Sequence, residues 1–251
     1  MKREEFIFGV NTLVGCKYSI LINLERKYHV EKKYRKIFRR SKYISIITTA
    51  LSQVDNLRYK SLSKNLEIQK NPIYILGHWR SGTTLLHNLL CCHKNISYPT
   101  TYHTVFPNNL LFLKWLIKGI MKIVMPKKRL VDRVDMHVDF PQEEDFGLGH
   151  QAGFSFYYWF HFPNDYQRIT DEYLSLTPKD EQKVQEYKEA YIRFIKQALL
   201  NVGGEQYIAK NPPTWPGFLF CLTCSREVAL FTLKEIPTRY SCQPSNFIKA
   251  F

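Results

Sequence analysis

Eight consecutive residues, Gly77-His78-Trp79-Arg80-Ser81-Gly82-Thr83-Thr84, bring two glycines, a guanidinium and three hydroxyls into one short run. Glycines allow a tight turn, and successive backbone N–H groups at a helix start can hold an anionic phosphate. Set against the nucleotide triphosphatase pattern GxxxxGK[ST], both glycines and the final hydroxyl fit, but Thr83 stands where the lysine belongs. The cation has moved to Arg80, inside the loop. Without that lysine, and with no Walker B-like aspartate at a strand end, the loop is poorly equipped to clamp a magnesium-bound triphosphate. That disfavours a P-loop kinase. A donor with a single phosphate bearing the group to be transferred fits better.

Other side chains could serve the same chemistry. Lys210 precedes Asn211-Pro212-Pro213 at the end of an apolar run and could supply a second cation, or be a plain loop lysine. Glu143, Glu144 and Asp145 follow Pro141; at a helix start they would complement the dipole, or one of them, Glu144 by preference, could take a proton from an acceptor. His78 and His103 are rival bases. His150 and His161 either shape an acceptor pocket or fill the core. Cys221 and Cys224 form a lone CxxC without a second ligand pair, so no metal is assigned. The six cysteines read as reduced thiols rather than as a disulfide scaffold.

The elements that must position these groups are legible from pattern. Ile73-Tyr74-Ile75-Leu76, bounded by Pro72 and Gly77, reads as a buried strand, and Thr84 to Leu90 as a helix packed on a sheet. Thr177-Pro178 opens a helix that Gly203 closes, with Val184, Tyr187, Tyr191, Phe194, Ile195, Ala198 and Leu199 at helical spacing. Gln206 to Ala209 follows as a second strand. Strand alternating with helix predicts an α/β fold with a parallel sheet, whose ligands sit beyond the carboxyl ends of its strands.

Composition bounds the partner. The chain has 251 residues, 45% hydrophobic and 23% charged, which argues against disorder and allows one sizeable core or a core plus a small satellite. A net charge of +14 points to an anionic partner. Basic residues from Lys17 to Lys42 suit one or two basic helices, making residues 1–70 a helical N-terminal segment ahead of a domain at 71–251. This segment is a solvated face or lies peripherally against an acidic membrane. Nucleic acid is not expected, since no recognition motif accompanies the charge. Val105 to Met125, with Lys114, Lys118 and Lys122 along one face, predicts an amphipathic helix and not a membrane span. Glu4 and Glu5 spoil the N-terminus as a signal peptide, leaving the cytoplasm as the simplest compartment.

The run from Pro72 to Leu90 resembles the 5′-phosphosulfate loop of the sulfotransferase family, in its GHWRSGTT-bearing branch. Thr100-Thr101-Tyr102, Pro141-Gln142-Glu143-Glu144-Asp145-Phe146 and Lys210-Asn211-Pro212-Pro213 are similar to later landmarks of that family, in the expected order. The resemblance implies a P-loop-like parallel sheet flanked by helices. It also implies 3′-phosphoadenosine 5′-phosphosulfate (PAPS) as co-substrate, no metal, and transfer of a sulfuryl group to an acceptor hydroxyl or amine. By that analogy Arg80, Ser81, Gly82, Thr83 and Thr84 bind the 5′-phosphosulfate; joined to the residue readings above, this makes Arg80, Glu144 and Lys210 the candidate catalytic set. Past Pro213 the likeness fails. The family's 3′-phosphate pair is absent in its usual form; Ser245 lies near the serine position and Lys234 near the arginine, with Arg239 and Ser241 as equal contenders. The likeness returning at Asn246 to Ala250 suggests a reading-frame disturbance over 214–244. The alternative to an active enzyme is therefore a non-catalytic or degenerate nucleotide-binding remnant.

Overall fold

The computed structural model describes residues 12–77, 81–128, 135–173, 181–210 and 229–233. Among the described residues the first α-helices are α1 (Tyr18–Lys27) and α2 (Arg35–Leu62), followed by strand β1 (Ile73–Gly77) and helix α3 (Thr83–Cys91). Then come β2 (Ile96–Ser97), α4 (Thr101–Val105), α5 (Lys114–Val124), α6 (Glu144–Ala152), α7 (Tyr166–Tyr173), α8 (Glu181–Val202), β3 (Gln206–Lys210) and β4 (Ala229–Leu233). The strands lie in the order β2-β3-β1-β4, every pairing parallel. The α/β expectation holds.

β1 sits between β3 and β4, with Ile75 opposite both Lys210 and Phe231. An inner parallel strand needs apolar residues on both faces, which Tyr74 and Ile75 supply: both are buried, and successive side chains point to opposite sides. α8 covers one face of the sheet. Its buried Tyr187, Tyr191, Phe194, Ile195, Ala198 and Leu199 are those the helical spacing singled out, and they form one core with Tyr74, Tyr207 and Ala209. Gly203 and Gly204 end this helix with φ of +88° and +87°. A side chain at Gly204 would also strike the Asn95 carbonyl, so the turn into β3 needs glycine twice over. The expected N-cap at Thr177 lies outside the described residues.

A second core joins the N-terminal helices to the middle of the chain: Leu21, Leu24, Tyr28 and Phe38 pack with Phe156, Tyr158, Phe162 and Ile169. The segment 105–125 differs from expectation. It is not one helix, because the chain turns between Phe106 and Leu113, and Leu113 adopts a left-handed φ of 53° before α5 begins. Asp55 of α2 enforces this break by accepting from the Leu111 N–H at 3.1 Å and from the Phe112 N–H. No helix among the described residues is long and apolar enough to cross a membrane.

Candidate active site

The loop motif leaves the central strand and enters α3, as its residues require. His78, Trp79 and Arg80 lie outside the described residues, as do Asn211-Pro212-Pro213, Lys234, Arg239, Ser241 and Ser245. Gly82 is the residue before α3 and takes a left-handed φ of +88°. Any side chain there would be strained although the space beside it is open. Leu86 donates the first full helical bond, to the Gly82 carbonyl at 3.1 Å. The N–H groups of Thr83, Thr84 and Leu85 precede that bond and have no acceptor within the helix. Thr83, in the place of the triphosphatase lysine, is buried, whereas Ser81 and Thr84 are half-buried.

Folding gathers the described parts of the other landmarks at the same end of the sheet. Thr100, just past β2, pairs with Pro141 in an antiparallel bridge, and Thr101 N–H donates to the Phe140 carbonyl at 2.9 Å. This brings the Pro141–Phe146 segment over the carboxyl end of β3. There the Lys210 ammonium pairs with Glu143 Oε1, while the Tyr157 hydroxyl donates to Glu143 Oε2. Both members of the ion pair are buried. His87, on the inner side of α3, is also buried; burial, then the charge of Lys210, pushes its pKa down to about 3, so it stays neutral. Its Nε2 has no hydrogen-bond partner among the described residues.

The three consecutive carboxylates part company as α6 begins, because each successive residue turns the side chain by ~100°. Glu143, at the cap position, makes no side-chain capping bond and spends its carboxylate on Lys210 and Tyr157. Glu144 turns into the core at 1% exposure, where its Oε2 accepts from the hydroxyls of Tyr191 at 2.6 Å and Tyr207 at 2.8 Å. Burial raises its pKa to about 7. Asp145 accepts from the Ser155 hydroxyl at 2.6 Å and the Tyr157 N–H at 3.2 Å; burial raises it to about 6. Glu144 is the carboxylate the sequence reading prefers as proton acceptor. It faces two tyrosines inside the core, and the carboxylate beside Lys210 is Glu143.

The histidines divide in the same way. His103 is fully buried and stacks on Phe194 with ring centroids 4.0 Å apart. His150 is buried with Nδ1 2.7 Å from the Thr104 carbonyl. Sequence reasoning missed His87 and Tyr157. The only signal was position: His87 lies one helical turn past Thr83, on the side that must meet β3.

A family model described as "Sulfotransferase family" matches residues 72–219, which spans all four landmarks. Over 204 residues the chain is 28% identical to the omega-hydroxy-beta-dihydromenaquinone-9 sulfotransferase Stf3 of Mycobacterium bovis and to that of Mycobacterium tuberculosis. The match covers 79% of this chain and 51% of the relative, so the chain spans about half the length of these curated relatives. The crystal structure of sulfotransferase STF1 from Mycobacterium tuberculosis shares the fold, with a TM-score of 0.54 at 15% identity over 86% of this chain and 59% of that one.

Proposed function

The chain belongs to the sulfotransferase family, and on that premise we propose that it transfers a sulfuryl group from PAPS to an acceptor hydroxyl. The observation that supports this most is the buried Lys210 at the end of β3, in register with the strand that feeds the Gly77–Thr84 loop. A buried ammonium is costly unless an anion answers it. Here Glu143 answers it within the protein, beside the place a donor phosphate would occupy.

In this reading Arg80 and the amides from Ser81 to Thr84 hold the 5′-phosphosulfate, with Gly82 supplying the turn. The bond between sulfur and the bridging oxygen breaks, its electron pair passing to the 5′-phosphate. The acceptor oxygen forms the new bond to sulfur. Charge gathers on the bridging oxygen, where Arg80 and Lys210 stabilise it without needing a metal. Glu143 takes the acceptor's proton once Lys210 turns toward the phosphate, and the Tyr157 hydroxyl keeps its carboxylate in place. Neutral His87 adds no competing charge beneath Lys210. Ser245 is assigned to the donor's 3′-phosphate. An alcohol is preferred to an amine as acceptor because the matched Stf3 relatives are named for a hydroxylated menaquinone.

Titration calorimetry with adenosine 3′,5′-bisphosphate tests the donor. We expect micromolar binding that Arg80→Ala weakens by at least about tenfold, the loss of one charge-assisted phosphate contact. Absence of binding would overturn the reading, and tighter binding of ATP with magnesium would replace it with a kinase.

A further inference from the structure

α2 and α5 both turn polar side chains toward the protein and apolar ones outward. Along the 28 residues of α2, the buried positions are Phe38 and the polar Ser41, Ser45, Thr48, Ser52 and Asp55. The opposite side exposes Tyr43, Ile47, Val54 and Leu57, the last at 72%. Their spacing of four, seven and three residues places them in one stripe. Lys36, Arg39 and Arg40 lie on the same side one to two turns earlier, all exposed.

α5 buries Met121 but turns polar groups inward as well. Lys118 pairs with Asp139 and the Lys114 ammonium donates to the Asn201 carbonyl at 3.3 Å, so these two lysines turn toward the protein. Trp115 at 75% exposure and Ile123 at 84% turn outward, with Lys122 beside them. The two helices are neighbours: Asp55 and Arg58 in the last turns of α2 bond the backbone at Leu111, just before α5 starts.

Charge selects what covers these faces. The only acidic residue in either helix is Asp55, and it is buried. Every exposed charge on both helices is therefore cationic. A second copy of the chain would bring like charges together. A bilayer with acidic headgroups offers phosphates to the Lys and Arg ends, and an apolar layer to the stripe between them. Trp and Tyr suit the boundary between the two layers. We propose that the outward faces of α2 and α5 dock the protein on an anionic lipid bilayer, with Tyr43, Ile47, Leu57, Trp115 and Ile123 entering the headgroup boundary. This surface differs from the Lys17–Lys42 stretch that charge alone singles out, because its apolar part lies downstream of that stretch. Docking also needs nothing from the donor site.

Co-sedimentation with vesicles of phosphatidylcholine, alone or with about 30 mol% phosphatidylglycerol, tests it. The full chain should sediment with the anionic vesicles only, and less so as salt rises. The double variant Ile47→Asp/Ile123→Asp should lower partitioning by at least about tenfold, because it places two charges in the apolar layer. Its thermal midpoint and adenosine bisphosphate binding should not change. Arg39→Glu/Arg40→Glu should also weaken binding. Equal binding to neutral vesicles would overturn the proposal, as would an unchanged double variant. A lipid-free dimer that the double variant dissociates, seen by light scattering, would assign the faces to self-association instead. Because nucleotide binding is read in parallel, failure of the docking surface and failure of the donor site are told apart.

Discussion

The carboxyl end of the sheet and the long helix α2 both bury polar side chains, by opposite means. In α2 three of the four buried hydroxyls bond nearby carbonyls: Ser41 to Ile37, Thr48 to Ser45 and Ser52 to Thr49, each within four residues. Such bonds form within the helix and need nothing from the rest of the fold. At the sheet end, Lys210 and Glu143 are 67 residues apart and meet only when β3, α6 and the Thr100–Pro141 bridge are all in place. Small local polar groups serve close packing. Long-range buried charge is expensive, and its presence beside the helix α3 is why the proposed chemistry is placed there.

Breaking the ion pair should have the largest effect. Lys210→Ala leaves the Glu143 carboxylate buried with only the Tyr157 hydroxyl, and should cost about 3 kcal/mol of stability by urea unfolding. Lys210→Ala/Glu143→Gln removes both charges and should recover most of that loss, without restoring transfer. If the single variant were as stable as the parent, Lys210 would be an ordinary surface lysine and the contrast with α2 would fail.

The tyrosines around Glu144 come next. Tyr191→Phe removes one of two hydroxyls bonded to that carboxylate and should cost about 1–2 kcal/mol, the usual penalty for an incompletely satisfied buried acceptor. Transfer from PAPS should persist, since Glu144 is assigned no step in it. A fall in turnover as large as that of Lys210→Ala, at unchanged stability, would return Glu144 to the reacting centre.

Glu144 also gives a pH signature of known sign. Its pKa is raised by burial to about 7 from an ordinary 4.5, so the folded protein binds the proton more tightly than the unfolded chain. The stability this adds is complete below the unfolded value and is lost as pH rises through about 7. Glu144→Gln mimics the protonated form. Its melting temperature relative to the parent should therefore climb between pH 5 and pH 8, by about 2–4 °C for each kcal/mol. Buried His87 has the opposite sign: its pKa is lowered to about 3, so it withdraws stability as pH falls below the ordinary 6.5. Subtracting variant from parent cancels the histidine, and a flat difference would mean that Glu144 titrates normally.

Much of this was legible in the residues. Pro72 and Gly77 frame β1, and the tyrosine spacing of α8 gave its buried face. The described parts of the four landmark segments lie at one end of the sheet. What the residues could not tell was direction around an axis. Three adjacent carboxylates have the same local sequence signal, and only the angle at which α6 leaves the Thr100–Pro141 bridge decides that Glu143 meets Lys210 while Glu144 meets Tyr191 and Tyr207. The same limit hid the orientation of α5. Lysines at every fourth residue define a face, but Asp139 and the Asn201 carbonyl decide that Lys118 and Lys114 turn inward.

The smallest effect tests the permissive half of the comparison. Ser52 is buried, yet its hydroxyl donates only to the Thr49 carbonyl, 2.7 Å away and three residues earlier. Removing it leaves no unpaired charge, and a helix carbonyl retains its backbone partner. Alanine is also the better helix former, by up to about 0.5 kcal/mol. Ser52→Ala should therefore lie within about 0.5 kcal/mol of the parent, and Ser41→Ala, whose hydroxyl bonds the Ile37 carbonyl, should behave alike. Ser45 is the informative exception within the same seam. Its hydroxyl donates to the carbonyl of Cys16, 29 residues earlier, and so ties α2 to the turn before α1. Ser45→Ala should cost roughly 1 kcal/mol more than its neighbours, the net value of one buried hydrogen bond. Equal costs at all three positions would show that distance along the chain does not separate the two kinds of buried polar group.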